Sequence, residues 1–447
     1  MAGQRSRRLW QWGFVGIAFL VLLLPGQAYQ ERAAQGQAAE ARAAGFVPEK
    51  LQLLSAAIQQ AVDQQKIAGG ALLLARNGRV FYQAAIGQQD IEGKAPLNTG
   101  TLFRLASMSK PVISIVAMQL VEDGKLSLTD PVSKFVPEFK EMRVLVPAKD
   151  GKSYELVAAN RLITIHDLLT HTSGITYRFF NKPFVGQMYA DAGVCDGLSE
   201  TTGTLGDNVR KIAKQPLVCQ PGTAWEYGLN TDVLGYVVEV VSGQSLEQFC
   251  QQRLFQPLKM NDTTFAVPKS KRARLSALFA AEPNKALKQV GPGTFTASGM
   301  GVLYSATFPI RDEATYCSGG AGLVSTLDDY YRFAQMMLNR GELNGVRVLK
   351  AETVDQITKN QLGDLRVSFP GLTAFGYGFG IVTEADSKET EPSAVGSYAW
   401  AGAFGTLFWV DPKNGFIGVF MAQTSPGDFV FAQQIKRIAY EAMKETK

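Results

Sequence analysis

Histidine is scarce in this 447-residue chain, which contains only His166 and His171. No HExxH pattern and no cysteine–histidine finger spacing occurs, so zinc sites of those kinds are excluded. The G-x-S-x-G turn of α/β-hydrolases is missing as well. Any nucleophile in this chain is therefore expected to use a base other than histidine.

The chain also lacks a strong charge of either sign. Its formal net charge is +5, and Arg5, Arg7 and Arg8 supply three of these charges, so residues 29–447 carry only +2. Such a weak charge gives no reason to expect a nucleic-acid partner. Hydrophobic residues make up 46% of the sequence, which is ordinary for a folded protein.

Long apolar runs are missing except near the N-terminus. Residues 1–28 combine the three arginines with an apolar run over 13–24 and a Gly-Gln-Ala end, which is typical of a secretory signal peptide. The run is shorter than the about 20 residues that span a bilayer. We expect an exported protein, periplasmic or secreted, that meets a membrane only if this segment stays uncleaved.

The chain has four cysteines, and two arrangements of them are open. In an exported protein Cys195 and Cys219, which flank one loop-rich stretch, would pair in a disulfide. Alternatively, these two and the remaining cysteines, Cys250 and Cys317, are all buried thiols.

Strand patterns occur at both ends of the chain, with helical patterns between them. The strand-like runs 70–75 and 79–86 are joined by Asn77-Gly78, a strong hairpin signal, and 406–410 is followed by 416–422. Helical patterns cover about 48–65, 106–122, 322–340 and 428–444. We predict an α/β (α+β) fold in which both chain ends build one sheet flanked by helices.

The domain organisation follows from these patterns. Residues 29–46 are rich in alanine and glutamine and are predicted to form a tether or a frayed helix outside the core. One domain is predicted over 47–447, with an inserted helical subdomain at about 125–320.

The chain contains one S-x-x-K motif, Ser107-Met108-Ser109-Lys110, at the start of a predicted helix. Residues three apart on a helix share a face, so Lys110 is expected beside Ser107. A lysine activates a serine when burial disfavours its charged form, and a helix N-terminus offers free N–H groups to an oxyanion. The alternative is a capping serine with a surface lysine. Pro111 and the apolar helix after it favour the catalytic interpretation.

Around this motif the sequence resembles the serine hydrolases related to class C β-lactamases and penicillin-binding proteins, and among them the family VIII carboxylesterases. The resemblance covers about residues 48–440, and its pieces occur in the family's order: 69–87, 101–110, 120–126, 165–174, 221–227, 319–323 and 400–402. It implies a β-lactamase/transpeptidase-like fold with an antiparallel sheet. It also implies an acyl-enzyme on Ser107, a small-molecule ester or acyl substrate, and no metal or cofactor.

The family's second motif, Tyr-x-Asn, corresponds to Tyr227-Gly228-Leu229, with Asn230 one place late. The resemblance implies that Tyr227 relays protons, and whether Lys110 or Tyr227 takes the first proton stays open. The alternative for Tyr227 is a half-buried aromatic at a helix start. The family's asparagine is associated with lactam substrates, so its displacement argues against them and leaves Leu229 as a candidate substrate contact.

The family's third motif corresponds to Trp400-Ala401-Gly402, which resembles the Trp-x-Gly of family VIII esterases. The lysine or histidine of related enzymes is missing, which favours neutral esters over carboxylate-bearing lactams or peptides. Trp400 is then a substrate contact, the alternative being an ordinary edge-strand tryptophan. Gly402 is expected to let a backbone approach the acyl group. By resemblance, the backbone N–H groups of Ser107 and Ala403 form an oxyanion hole.

Two further features have structural interpretations. His171 is expected to end a helix that Thr164 and Asp167 cap. An aromatic stretch either packs in the core or lines an acyl pocket; its members are Tyr177, Phe179, Phe180, Phe184 and Tyr189.

The sequence thus predicts an exported serine hydrolase that cleaves carboxylic esters through a Ser107–Lys110–Tyr227 centre. Three alternatives stay open: a β-lactamase or D-Ala-D-Ala carboxypeptidase, an acyltransferase, and a non-catalytic cell-wall binding protein on the same fold. The missing cation argues against the first, and the intact Ser107, Lys110 and Tyr227 argue against the last.

Overall fold

The computed structural model describes residues 36–180, 184–282, 285–297, 301–369, 372–389 and 391–443. Its centre is an eight-stranded antiparallel sheet in the order β4-β5-β6-β7-β8-β1-β2-β3. The strands are β1 (Gly69–Arg76), β2 (Arg79–Asp90), β3 (Ala95–Pro96), β4 (Ala374–Phe375), β5 (Gly380–Ile381), β6 (Tyr398–Gly402), β7 (Thr406–Asp411) and β8 (Phe416–Met421). The predicted sheet from both chain ends is confirmed, because β1 pairs with β8.

Local turn chemistry sets the register of the two hairpins. Asn77 and Gly78, between β1 and β2, both have positive φ, at 50° and 79°, as a tight two-residue hairpin turn requires. Between β7 and β8, the Asp411 carboxylate accepts hydrogen bonds from the backbone and side chain of Asn414. These turns hold the central strands in place.

The sheet is buried on both faces, which explains the unbroken apolar runs of its central strands. On β1, Leu73 faces one hydrophobic core, while Leu72 and Leu74 face the other. The smaller core lies under helices α1 (Pro48–Asp63) and α12 (Phe429–Glu441). The opposite face carries the larger core and the rest of the molecule.

Helices α2 (Ser109–Glu122), α6 (Asn230–Ser242) and α9 (Leu327–Leu338) form the centre of the larger core. The other α-helices are α3 (Ile165–Thr170), α4 (Val185–Asp191), α5 (Leu205–Ala213), α7 (Leu246–Cys250), α8 (Gln256–Leu258), α10 (Ala351–Ile357) and α11 (Glu384–Glu389), with a π-helical turn at Gln251–Phe255. The 3₁₀ turns are Ala106–Met108, Val132–Lys134, Pro137–Phe139, Arg178–Phe180 and Lys269–Arg274.

Small strand groups connect these helices. They are Phe103–Arg104 with Val324–Ser325, Arg143–Pro147 with Tyr154–Ala158, Thr294–Thr296 with Leu303–Ser305, Glu342–Leu343 with Val346–Arg347, and Phe279–Ala280 between Lys288–Gln289 and Thr424–Ser425. No helix in the described part of the chain is both long enough and apolar enough to cross a membrane.

The predicted tether is wrong for residues 36–46. Residues 36–43 are helical and Ala41 is buried. Phe46 is also buried and stacks on Phe81 with ring centroids 4.3 Å apart, so this stretch packs on the sheet. The predicted signal peptide and residues 29–35 lie outside the described residues.

The proposed disulfide is also wrong. All four cysteines lie within the described residues, and they form no disulfide. The Cys195 sulfur instead lies 3.7 Å from the Ser199 hydroxyl, and Cys195 is buried. The alternative of buried thiols holds for three of the four, since Cys219 is half-buried.

Candidate active site

Ser107 lies in the 3₁₀ turn that leads into α2. Of residues 101–110 it alone is not fully buried, so the segment presents a single hydroxyl to the outside. Ala106, directly before it, has a φ of 46°, a left-handed conformation that is unfavourable for alanine. A strained residue at this point costs about 1–3 kcal/mol and persists only where the surrounding structure enforces it.

The segment before Ser107 is held by a buried guanidinium. Arg104 donates hydrogen bonds to the carbonyls of Phe308 (2.7 Å) and Ser276 (2.8 Å). Burial lowers the pKa of Arg104 to about 10, which still leaves it charged at neutral pH. The segment that leads to Ser107 is therefore fixed to the loops that carry Ser276 and Phe308.

Lys110 lies on the first turn of α2 and is completely buried. Its Nζ is 3.1 Å from Ser107 Oγ, 2.9 Å from Tyr177 Oη and 2.8 Å from the Gly320 carbonyl oxygen. The ammonium form can donate one hydrogen to each neighbour, and the amine form can accept one from either hydroxyl. Lys110 can therefore exchange a proton with Ser107 through a direct hydrogen bond.

Tyr177 is a site residue that the sequence did not single out as a partner of Lys110. The aromatic stretch suggested only core or pocket, and the lone cue was its position just after α3. Burial, together with Tyr227, Asp232 and Asp196, raises the pKa of Tyr177 well above 10. Its hydroxyl therefore stays protonated at neutral pH.

Tyr227 packs over Lys110, with Nζ 4.6 Å from the centroid of its ring. Its hydroxyl accepts a 3.3 Å hydrogen bond from Trp400 Nε1. The structure therefore brings Ser107, Lys110, Tyr227 and Trp400 together, although they are far apart in the sequence.

Six rings surround Tyr227 within 6.2 Å, and we call this group the aromatic wall. Its members are His171, Tyr177, Phe180, Trp225, Phe369 and Trp400. Phe180 and Phe369 are only half-buried and meet edge to face at 6.5 Å. The wall offers an apolar surface beside Lys110 and Ser107.

The structure rules out one predicted substrate contact and one alternative interpretation. Leu229 is completely buried in the larger core, so it does not contact a substrate. Trp400 lies on β6, which pairs with strands on both sides, so it is not on an edge strand.

Gly402 lies against the segment that carries Ser107. A Cβ there would lie 2.1 Å from the Leu105 carbonyl oxygen. Glycine is needed here for packing of β6 against the nucleophile segment. Ala403 follows directly, and its carbonyl accepts from the Gly427 N–H at 2.9 Å.

A buried carboxylate lies behind the lysine. Asp232 accepts a 2.7 Å hydrogen bond from Ser318 Oγ, and burial raises its pKa to about 6. A Cβ on Gly320 would lie 2.5 Å from Asp232 Oδ2 and 3.4 Å from Lys110 Nζ. The Gly320 backbone thus fills a narrow space between the acid and the base.

The Asn230 side chain points into the protein interior. Its Oδ1 accepts a hydrogen bond from Ser173 Oγ, and its Nδ2 lies 3.0 Å from His171 Nδ1. The one-place displacement therefore gives the asparagine a structural environment. The predicted helix end is confirmed: Thr164 and Asp167 form a capping box, and His171 ends α3 with a φ of 57°.

Within the described residues, no group of three or more histidine, cysteine, aspartate or glutamate side chains is placed to hold a metal ion.

Comparisons with known proteins identify the family of the chain. The profile of a family described as Beta-lactamase matches residues 54–442. Esterase EstB from Burkholderia gladioli is 31% identical over 375 residues, covering 83% of this chain and 90% of that protein. A lovastatin esterase from Penicillium rubens is 30% identical over 389 residues, covering 81% and 90%. The solved structure of EstCE1, described as a hydrolase with promiscuous acyltransferase activity, superposes with a TM-score of 0.74 at 28% identity, covering 92% of this chain and all of that one.

Proposed function

Because the chain belongs to the beta-lactamase family as a serine hydrolase of the carboxylesterase kind, we propose that it cleaves neutral carboxylic esters through an acyl-enzyme on Ser107. The observation that carries the proposal is the 3.1 Å contact between Ser107 Oγ and a wholly buried Lys110 Nζ.

In the first half of the reaction, Ser107 Oγ attacks the ester carbonyl carbon as its proton leaves toward Lys110. The carbonyl oxygen becomes an oxyanion, held by the backbone N–H groups of Ser107 and Ala403. The carbon–oxygen bond to the alcohol then breaks, and the departing alkoxide takes a proton. In the second half, water attacks the acyl-enzyme, releases the acid and returns the proton to Ser107.

The two tyrosines have different parts in this scheme. Tyr177 stays neutral and hydrogen-bonded to Lys110, so it orients the amine toward Ser107. Tyr227 relays the proton between Lys110 and the leaving alcohol, because Trp400 Nε1 donates to its oxygen and Lys110 packs against its ring. Tyr227 is thus placed between Trp400 and Lys110, as a relay requires.

The preference for neutral esters rests on Trp400 and the aromatic wall. Related enzymes that bind a substrate carboxylate use a cation where this chain has Trp400. Here that position is an indole that stacks with Phe369. Without a cation, a carboxylate-bearing substrate would lose its hydration with no charged partner in return.

We also propose that the chain is exported. The support is the sequence of residues 1–28, with its basic start, apolar run and small-residue end. Fractionation of cells that produce the full chain tests this proposal. The protein should be found in the periplasm or medium, and it should stay in the cytoplasm when Arg5, Arg7 and Arg8 are replaced by glutamate.

Ester cleavage is tested with purified full chain, p-nitrophenyl butyrate and a chromogenic cephalosporin. We expect ester turnover with slow or no lactam turnover, and Ser107→Ala should lose at least about 1,000-fold in kcat. Ser109→Ala, two residues away on the same turn, is the matched control for the chemistry. Rapid lactam turnover would move the assignment to a β-lactamase, and equal ester turnover by Ser107→Ala would refute the acyl-enzyme.

Acyl transfer to an alcohol is a second candidate, and the similarity to EstCE1 favours it. An alcohol that reaches the acyl-enzyme along the aromatic wall would compete with water for the same carbonyl carbon. Adding an aliphatic alcohol to the ester assay should then yield a new ester at the expense of free acid. Free acid as the sole product at every alcohol concentration would leave hydrolysis as the function.

A further inference from the structure

His171 holds the segment that carries Tyr227 at several points. Its carbonyl oxygen accepts from the Glu226 N–H at 2.7 Å, and its Nδ1 is 3.4 Å from the Gly228 nitrogen and 3.0 Å from Asn230 Nδ2. Its ring lies 4.8 Å from the Tyr227 ring, centroid to centroid. The backbone of His171 thus holds the residue before Tyr227, and its side chain contacts the residue after it and the tyrosine ring itself.

The protonation of this imidazole follows from its partners. The Gly228 backbone N–H can only donate, so Nδ1 must be the unprotonated acceptor and Nε2 must carry the hydrogen. Burial and the nearby positive charge of Lys110 lower the pKa of His171 well below 6.5, which keeps the ring neutral. A neutral ring with a free Nδ1 lone pair is the form that this contact needs.

Asn230 completes the network on the other side. Ser173 Oγ donates to Asn230 Oδ1 and accepts from the Ile175 N–H at 3.0 Å, so the amide orientation is fixed. Asn230 Nδ2 is then turned toward His171. His171, Ser173, Ile175 and Asn230 are all buried, so water does not compete for these hydrogen bonds.

The space around the segment is narrow. A Cβ on Gly228 would lie 2.2 Å from the Ile175 carbonyl oxygen, so the backbone beside Tyr227 is pressed against the chain after α3. A rotation of the segment that carries Tyr227 would move its hydroxyl away from Trp400 Nε1. The His171 contacts oppose that rotation.

We propose that His171 is a positioning residue of the reaction, whose Nδ1 accepts from the Gly228 N–H and Asn230 Nδ2 directly after Tyr227 and thereby keeps the relay hydroxyl at Trp400 and the Tyr227 ring against Lys110. This inference rests on the proposed function of Tyr227. It gives a role in the chemistry to a residue that the sequence indicated only as a helix end.

The test uses three substitutions that separate the acceptor from the ring. His171→Asn keeps an acceptor near the Nδ1 position and suits the left-handed backbone at a φ of 57°. His171→Gln moves the acceptor outward to the Nε2 position, and His171→Phe keeps a ring without any acceptor. His166→Asn is the matched control, because His166 lies on the same helix, half-buried, 5.7 Å from the Tyr377 ring.

With p-nitrophenyl butyrate and the full chain, we expect kcat to fall at least about 30-fold for His171→Gln and His171→Phe, with KM within about threefold. His171→Asn should recover at least about tenfold over His171→Gln, and His166→Asn should stay within about twofold of the native chain. Melting temperatures are measured alongside, since a purely structural role predicts that kcat follows stability and not the position of the acceptor.

Nitrogen NMR on the native chain gives an independent readout. The two imidazoles are assigned with His166→Asn, and His171 should show an unprotonated Nδ1 and a protonated Nε2. Equal kcat for the Asn and Gln variants, native kcat for His171→Phe, or a protonated Nδ1 would overturn the inference. If Tyr227→Phe is as active as the native chain, the proposed relay fails instead, whatever the His171 series gives.

Discussion

At the residue scale, the site depends on a lysine that the protein shields from solvent. Lys110 is completely buried, and its three hydrogen-bond partners are a hydroxyl, a phenol and a carbonyl. None of these three partners carries a formal charge, and the buried Asp232 lies beyond Gly320. Two phenols lie next to it: the Tyr177 hydroxyl is hydrogen-bonded to Nζ, whereas Tyr227 contacts Nζ through the face of its ring.

Replacing each tyrosine by phenylalanine should separate their contributions. Tyr227→Phe removes the relay oxygen and should lower kcat by about 100-fold or more, which is the usual size of a general acid–base contribution. Tyr177→Phe removes a hydrogen bond to Lys110 and should lower kcat by only about tenfold. Steady-state kinetics with an ester measures both. A larger loss for Tyr177→Phe would exchange the two assignments.

At the element scale, β6 fixes the position of the nucleophile. Gly402, at the end of β6, lies against the Leu105 carbonyl, and Thr406 Oγ1 on β7 donates to the same carbonyl at 3.2 Å. The strand pair and the turn that carries Ser107 therefore touch directly at the backbone. The geometry between Ser107 and Ala403 depends on this contact.

Gly402→Ala should therefore damage both stability and activity. The new Cβ would lie 2.1 Å from the Leu105 oxygen and must push β6 away, at a cost of about 1–3 kcal/mol in the free energy of unfolding. We also expect kcat to fall more than KM changes, because the proposed oxyanion hole spans this contact. Urea unfolding and ester kinetics measure the two effects.

Gly291→Ala is the control for this substitution, because nothing lies within 4 Å of a Cβ at that position. If Gly402→Ala keeps native stability and activity, then β6 can move away from the Ser107 segment without loss. That result would contradict the prediction.

At the scale of the whole molecule, a buried ion pair attaches the C-terminal helix. Lys436 on α12 is 2% exposed at its side chain and lies 2.5 Å from Glu391 Oε1. Tyr440, one turn further along, donates to Asp411 at the end of β7. An ion pair thus attaches the last helix to the segment before β6, and a hydrogen bond to a carboxylate attaches it to the central sheet.

Lys436→Met should destabilise the protein by about 3–5 kcal/mol, because it leaves Glu391 as an unpaired charge in a buried site. The double variant Lys436→Met with Glu391→Gln should recover part of that loss. Urea denaturation of the three proteins gives the comparison. A double variant less stable than Lys436→Met alone would contradict this account of the pair.

Stability should also vary with pH through buried carboxyl groups. Burial raises the pKa of Asp329 to about 6 from its ordinary value of 3.8. A raised pKa means that the folded state binds the proton more tightly than the unfolded state does. This contribution is therefore fully present below about pH 4 and is lost as the pH rises through 6.

Asp329→Asn removes this titration and lies away from the candidate site. Relative to the native chain, its free energy of unfolding should rise by about 3 kcal/mol between pH 4 and pH 7.5, whatever constant offset the substitution adds. Urea unfolding at several pH values measures the difference. A difference that is flat with pH would refute the raised pKa.

The sequence by itself determined the features that depend on neighbours along the chain. The Asn77-Gly78 hairpin, the capping box of Thr164 and Asp167, and the placement of Lys110 one turn after Ser107 follow from backbone dihedral preferences and the helical repeat. Because these act over a few residues, the hairpin, the helix cap and the contact of Ser107 with Lys110 were predictable.

Only the tertiary structure decided the contacts between distant segments. Tyr177 and Gly320 lie 67 and 210 residues from Lys110, yet both bind its Nζ. The burial of Leu229, the separate thiols of Cys195 and Cys219, and the packing of residues 36–46 depend on distant partners in the same way. Periodicity reports which face of an element is apolar and leaves open which other element covers it, so these contacts required the folded chain.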